Sequence, residues 1–505
     1  MTENMTENIH LLLPEALLAV LAIKVLAIDL FLPVRFKDLL VWISALGMTG
    51  ILVFSIWLLW GIDTPLYGGL VRADGFTLFF KGFFLILGIV TVLASRDYVN
   101  KHLKNPGEFY SIVIMAILAM SIMASAVEIL TAYIALELMS FSFYILVSFA
   151  LNNPKSNEAG LKYILIGAFS SAILLYGISL LYGALGVTHF DSIATEISNA
   201  MENSDSFSPT LWVGMGLILV GLGFKIAAVP FHMWAPDTYE GAPLPVTAFL
   251  SVGSKIAAFA LVMRLFGQAF APSIDQWQMI VATMSALTMT IGNVVAIAQK
   301  NLKRLLAYSS IAHVGFMLMG IAALSLIGIE ALILYLVGYA LSSMTVFVGL
   351  IAFYNMTGQE NIDDLGGLAV RHPFIAAAIA SGLISLGGLP FFAGFTVKFY
   401  LFTAVGTQGL LWLAGLAIFN SLISLYYYLM VVRQMYIEPS PEWAKEPTSD
   451  VATKGIQKTM DRIEHKPTLL ITTVLTVLVL GVVFVGIYPS PILDMIKSAS
   501  QALLT

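Results

Sequence analysis

GLGFKIAAVPF at residues 221–231 and LGGLPFFAGF at 386–395 decide the reading of this chain. Each stretch lies in an apolar run long enough to cross a bilayer, which takes about 20 residues, and each is interrupted by glycine and proline. A proline removes one backbone donor and frees the carbonyl four residues earlier. Lipid cannot satisfy that carbonyl, so it must turn to protein or trapped water. One such interruption alone reads as a packing kink. Two of them, with Pro230 and Pro390 lying 160 residues apart and lysines beside both, point to an ion pathway at mid-membrane. Five spans separate the matching elements. An odd number inserts the second copy upside down.

The rest of the chain agrees. Of 505 residues, 59% are hydrophobic and 11% charged, whereas soluble domains carry about 25% charged residues. The mean hydropathy is +0.90. Fourteen apolar runs lie near 11–33, 38–60, 74–95, 109–126, 128–151, 161–185, 211–232, 244–266, 277–299, 304–324, 329–355, 373–405, 409–432 and 468–489. The expected fold is therefore an all-α integral membrane protein of about 14 transmembrane helices, with two inverted repeats that each contain a broken helix. The first run reads as a span and not as a cleavable signal, because no small-residue cleavage pattern follows it.

Basic residues test this map, since Lys and Arg gather in cytoplasmic loops. With the N-terminus outside, 17 of the 25 cations fall on the cytoplasmic side, and only Arg72, Arg264 and Lys497 fall outside. Five stand within spans: Lys24, Lys81, Lys225, Lys255 and Lys398. The segment 437–467, with Pro439, Pro441 and Pro447, reads as a cytoplasmic loop whose part 451–464 forms a surface helix. Segment 187–210 has acids and no Lys or Arg, which suits an outer polar loop.

Ionisable groups inside spans are costly and usually functional. Glu137 lies about ten residues into the fifth run, too deep to reach either surface. Lys225 stands five residues before Pro230, and a buried lysine gives up its proton unless an acid holds it. Lys255 is mid-span, one turn after Ser251. Lys398 follows the second break. His313, one turn after Ser309, is the only deep histidine of seven and suits a neutral relay. Glu128, at the outer start of the fifth span, reads as an interface residue. Lys24, Asp29 and Lys81 read as snorkelling or structurally paired groups. His232, Trp234 and Asp237 either line a cytoplasmic entrance or cap the broken helix.

No cysteine is present, which excludes Cys-ligated clusters and disulfides. One deep histidine is too few for bis-histidine haem ligation. There is no nucleotide loop, metal-ligand cluster, nucleophile triad or nucleic-acid signature. No cofactor or metal is expected in this chain. The expected partners are lipid, water and protons.

GLGFKIAAVPFHMWAPDTYEGAP (221–243), SVGSKIAAFALVMR (251–264) and NLKRLLAYSSIAHVGF (301–316) resemble the antiporter-like subunits of respiratory complex I, the proton-pumping NADH:quinone oxidoreductase. Among these the subunit N family is the nearest match. The resemblance covers most of the chain. It implies fourteen helices with inverted five-helix units at spans 4–8 and 9–13. The divisions are then a three-span bundle at 1–108, the repeats at 109–276 and 277–436, and a loop with the final span at 437–505. It also implies that Glu137 pairs with Lys225, that Lys255 and His313 relay protons, and that Lys398 serves the outer exit. Sister subunits generally have an acid at the position of Lys398, and a lysine there favours subunit N. Phe391-Phe392 is bulky for such a break and departs from the pattern. The resemblance implies other membrane-arm subunits as partners. Flavin, iron–sulfur clusters and quinone would belong to those partners, with NADH or ferredoxin as donor. The location would be a bacterial inner membrane or, alternatively, a thylakoid. The Mrp-type cation/proton antiporter complexes share the same Glu, Lys and broken-helix set and form the chief rival reading. A hydrogenase-type membrane arm and a solute carrier are further rivals. An axial row of charges, unlike one solute pocket, argues against the carrier.

Overall fold

The computed structural model describes residues 8–202, 208–439, 441 and 467–504. The chain runs through α1 (Leu13–Phe31), α2 (Leu39–Leu59), a short hairpin of β1 (Thr64–Leu66) and β2 (Val71–Ala73), α3 (Gly75–His102), α4 (Pro106–Ser125), α5 (Ile129–Val147) and α6 (Pro154–Leu185). Then come α7 (Phe190–Glu202), α8 (Pro209–Ile226), α9 (Trp234–Gly241), α10 (Leu244–Phe249) and α11 (Lys255–Arg264). A π-helical turn, Leu250–Ser254, joins α10 to α11, and a second, Leu265–Ala269, follows, so Leu244–Ala269 forms one rod. The series continues with α12 (Ile274–Ala296), α13 (Leu302–Ala322), α14 (Leu326–Thr357), α15 (Leu368–Arg371), α16 (Pro373–Gly387), α17 (Ala393–Thr407) and α18 (Leu411–Tyr436). A final span, Leu469–Ile487, and a C-terminal helix, Ser490–Leu504, complete it.

Among the described residues, thirteen helices are long and apolar enough to cross a membrane. The two half-helices α16 and α17 make the fourteenth crossing, so the run 373–405 is split at its glycines and proline. The ends are written in the sequence. Prolines open α4, α6, α8 and α16, where the missing N–H costs nothing. Asp74, Asn153, Asn301 and Ser325 cap α3, α6, α13 and α14 with side-chain oxygens. Glu128 is the cap of α5, its carboxylate accepting from the Thr131 amide at 2.6 Å. In the loop before α2, the Arg96 guanidinium beside Asp38 holds that carboxyl below the usual carboxylate range.

Three features depart from the sequence reading. A small β-hairpin, absent from the sequence reading, accompanies the helices without changing the all-α class. Segment 187–210 contains α7, whose Phe190, Ile193 and Ile197 are buried, so it is not a plain polar loop. The C-terminal helix was not expected. It buries Ile496, Ala499 and Leu503, lies against α3 and α14, and is tied to the Leu265–Ala269 turn by Gln268 donating to Leu503 O at 3.0 Å. The surface helix expected at 451–464 lies outside the described residues.

Burial is graded across the molecule. The rod Leu244–Ala269 and α13 are buried on all sides, and α14 nearly so, whereas α1, α2, α18 and the final span are largely exposed. The core of the fold is thus where Lys255 and His313 stand.

The two broken spans end their first halves alike. At the end of α8, Ala228 N donates to Gly223 O and Ala227 N to Phe224 O; at the end of α16, Leu389 N donates to Ile384 O and Gly388 N to Ser385 O. This is a Schellman-type end, with one residue in the left-handed region. Gly388 (φ 88°) fills that place freely, whereas Ala227 (φ 60°) fills it with strain. Phe391 is also left-handed (φ 73°) and points its ring outward, which accommodates its bulk. Gly394 opens α17 against Ser385, and a Cβ there would lie 1.6 Å from Ser385 O. Gly394→Ala must therefore push the half-helices apart. The expected cost is at least about 1–3 kcal/mol, read as a lowered thermal midpoint of the detergent-solubilised protein. An unchanged midpoint would show that the break is looser than described.

Candidate proton pathway

Glu137 and Lys225 meet between α5 and α8. Lys225 Nζ donates to Glu137 Oε1 at 3.3 Å, to Ser140 Oγ at 2.8 Å and to Ser171 Oγ at 3.0 Å. An ammonium has three protons, and all three find acceptors. Ser171 in turn donates to the same Glu137 oxygen at 2.5 Å. Ser140 reaches this point because it lies one turn beyond Glu137 on α5. Lys225 occupies the last turn of α8, where the negative end of the helix dipole favours a cation. The lysine side chain is 3% exposed and the glutamate 16%. Glu137 therefore opens onto the lateral face of α5, where Ile134 and Phe141 are exposed.

Backbone groups left open at the first break, one carbonyl and one amide, are satisfied by protein. Trp234 Nε1 donates to Phe224 O at 2.9 Å, and Val229 N donates to Thr288 Oγ1 at 3.0 Å. Of the three residues with two open readings, Trp234 is thus a cap. Asp237 is bonded to Arg304 at 2.8 Å and Lys162 at 3.1 Å, at the end of the molecule that the distribution of basic residues assigns to the cytoplasm. It lines a cavity of about 170 Å³ with Lys155, Glu158, Lys162 and Glu240. His232 is buried, and its Nδ1 has no hydrogen-bond partner among the described residues.

Lys255 is fully buried at the start of α11. Its ammonium bonds Ser310 Oγ of α13 and lies 5.5 Å from the Tyr239 ring centroid. Ser251 is not its partner. The π turn instead frees Ser251 O to accept from Tyr339 OH at 3.1 Å, and Tyr339 OH also meets Ser310 Oγ at 2.8 Å. Extra-wide turns of this kind recur at functional sites. Lys225 and Lys255 share no hydrogen-bonded partner among the described residues.

His313 bridges two tyrosines, with Nδ1 2.7 Å from Tyr335 OH and Nε2 3.2 Å from Tyr428 OH. Ser309 bonds Tyr428, so it touches the histidine's partner and not the histidine. A small cavity of about 10 Å³ lies between His313 and Lys398, lined by Tyr335, Tyr339 and Ser342. That is close to the room one water needs.

Lys398 does not snorkel. Its ammonium donates to Leu386 O at 2.9 Å, Gly387 O at 3.1 Å and Ser421 Oγ at 2.9 Å. It has no acidic partner among the described residues. Instead it sits on the C-terminal end of α16 and satisfies carbonyls freed by the break. Both lysines at the breaks are therefore held at the negative end of a half-helix, one from within and one from across the gap.

Of the remaining charges, buried Lys81 pairs with Glu15 at 2.6 Å, and half-buried Asp29 pairs with Lys37 at 2.9 Å. Among the described residues, no group of three or more His, Asp or Glu is placed to hold a metal.

Residues 126–424 match the family model of the NADH:quinone oxidoreductase/Mrp antiporter transmembrane region. The chain belongs to this family. It is 41% identical over 485 residues to the NADH-quinone oxidoreductase subunit N of Moorella thermoacetica, covering 96% of this chain and 97% of that one. A chain of respiratory complex I from Thermus thermophilus superposes with a TM-score of 0.76 at 29% identity, covering 95% and 98% of the two chains. A chain of the Mrp complex from Dietzia sp. superposes with a TM-score of 0.82 at 20% identity, covering 98% and 100%. The Mrp likeness shows a shared fold. Family membership thus agrees with the fourteen-crossing reading and with a multi-pass membrane protein.

Proposed function

We propose that this chain moves protons across the membrane as the subunit N-type component of an NADH:quinone oxidoreductase membrane arm, with Glu137, Lys225, Lys255, His313 and Lys398 as the transferring groups. The observation that carries this reading is the run of buried protonatable side chains from the Glu137–Lys225 pair beneath one break to Lys398 at the other. The identity to subunit N relatives, twice that to the Mrp chain, favours a redox-driven pump. The partners are the other membrane-arm subunits, and flavin, iron–sulfur clusters and quinone reside in partner subunits. A bacterial inner membrane is the location that fits the relatives.

The matching Schellman-type ends support two inverted units at 109–276 and 277–436, between a bundle at 1–108 and a closing segment at 437–505. In this scheme protons reach Lys225 from the cytoplasmic side near Asp237 and His232. Glu137 holds the charged lysine. An ion pair near 4 Å at an effective dielectric of 20 is worth about 4 kcal/mol. Moving one charge against 100 mV costs about 2.3 kcal/mol. Separating the pair from a neighbouring subunit is therefore large enough to drive a proton forward, through Lys255, Ser310, Tyr339 and His313 to Lys398 and out. Glu137 is placed for such a signal, since its carboxylate opens on the side of the molecule.

The test is the assembled complex in sodium-free proteoliposomes, supplied with NADH and a quinone. Proton uptake that follows electron flow is the expected result. Proton movement that needs a sodium gradient and ignores electron flow would replace this reading with the Mrp-type antiporter.

A further inference from the structure

Lys24 is unlike every other lysine within the spans. Lys81, Lys225, Lys255 and Lys398 are buried and bonded. Lys24 is exposed and makes no hydrogen bond or ion pair among the described residues. It is the twelfth of 19 residues in α1, about 10 Å from the cytoplasmic end of the helix at 1.5 Å per residue. Leu17, Val20, Ile23 and Phe31 surround it with exposed apolar surface, and Ala27 leaves room for close approach.

Lipid does not suit this ammonium. A lysine at the centre of a span costs about 2.5–3.5 kcal/mol when inserted and almost always turns to a partner. Snorkelling to the nearer, cytoplasmic surface runs against the side-chain direction, because Cβ tilts toward the helix N-terminus and that end of α1 is outside. The nearest acid on the same helix does not help. Asp29 is held by Lys37 and is turned toward α4, where its Cβ would lie 2.2 Å from a Cβ placed on Gly107.

We propose that this face of α1 docks a transmembrane helix of a partner subunit, and that Lys24 pairs there with an Asp or Glu of the partner at the same depth. The charge sets the occupant. An apolar helix or an acyl chain would leave a lone ammonium in hydrocarbon. The contact is separate from the row of groups that moves protons, and it stands whether the assembly is redox-driven or of the Mrp type.

The experiment uses the whole complex in native-lipid nanodiscs, with p-benzoylphenylalanine introduced as Ile23→Bpa. Irradiation captures whatever lies against the helix. The expected adduct is with one transmembrane segment of a partner subunit carrying a carboxylate within one turn of the captured residue. Lys24→Glu should then lower recovery of intact complex at least fivefold, Lys24→Arg should leave it unchanged, and placing Lys at the partner's acid should restore recovery with Lys24→Glu. Adducts with acyl chains alone, adducts with a segment lacking Asp and Glu, or intact recovery of Lys24→Glu would each overturn the proposal. Proton pumping per electron should be normal in Lys24→Arg, which separates failure of docking from failure of the pathway.

Discussion

Lys225→Met is expected to abolish most redox-driven proton translocation by the assembled complex, at least a tenfold loss per electron transferred. Methionine keeps the volume and the apolar stem and so preserves the end of α8. It removes the ammonium that three acceptors surround. Ser171 still donates to Glu137, so the glutamate keeps one bond but loses its counter-charge. Tenfold corresponds to about 1.4 kcal/mol, well within the roughly 4 kcal/mol assigned to the pair. Glu137→Gln tests the other half. It preserves the bond from Ser171 while removing the charge. If the two residues act as one unit, the double variant should be little worse than either alone, because coupled effects are not additive. The readout is acidification of proteoliposomes against NADH consumed, with assembly checked by native electrophoresis. A wild-type ratio of protons to electrons in an assembled Lys225→Met complex would remove this pair from the pathway.

The main frame of the site was legible because its signals are improbable in an apolar chain. Pro230 and Pro390 stand out in spans, and so do Glu137, Lys225 and Lys398. What surrounds them was not legible. Ser171 lies 54 residues from Lys225, Ser310 lies 55 from Lys255, and Tyr428 lies 115 from His313. Serine and tyrosine are ordinary in membrane helices, so only the packing of α5, α6, α13, α14 and α18 singles them out. Tyr335 and Tyr339 gave one faint sign, an i, i+4 pair on a helix face. The partners of Lys398 were hidden for a physical reason: Leu386 O and Gly387 O are main-chain carbonyls that become free only because the helix breaks there. The C-terminal helix was hidden because Ile496, Ala499 and Leu503 make a stripe too short to distinguish from a polar tail.

Arg264 is the larger surprise, and it supports the other prediction. A cation at the outer end of a span reads as a surface residue, but Arg264 and Asp74 are both 0% exposed at the side chain. Arg264 Nη2 donates to Asp74 Oδ1 and Oδ2 at 2.9 Å and to Thr77 Oγ1 at 2.8 Å, and Nε donates to Ala124 O at 2.6 Å. The guanidinium also lies 4.7 Å from the Phe76 ring centroid. Asp74 meanwhile caps α3 through the Thr77 amide at 2.7 Å. One buried ion pair thus joins α3, α4 and α11, fastening the first three spans to the core. Arg264→Met leaves a carboxylate buried with only Thr77 and the more distant Arg72 (4.0 Å) to answer it. Removing one partner of such a pair costs about 3–5 kcal/mol, whereas replacing both is often close to neutral. Arg264→Met is therefore expected to deplete the assembled complex and lower its thermal midpoint sharply. Asp74→Asn with Arg264→Met should recover much of the loss, although the α3 cap is weakened. A single variant as stable as the wild type would mean that water or a partner subunit reaches Asp74. A double variant as damaged as the single one would mean that the contacts to Ala124 and Phe76, and not the charge pair, hold α11 to α3 and α4.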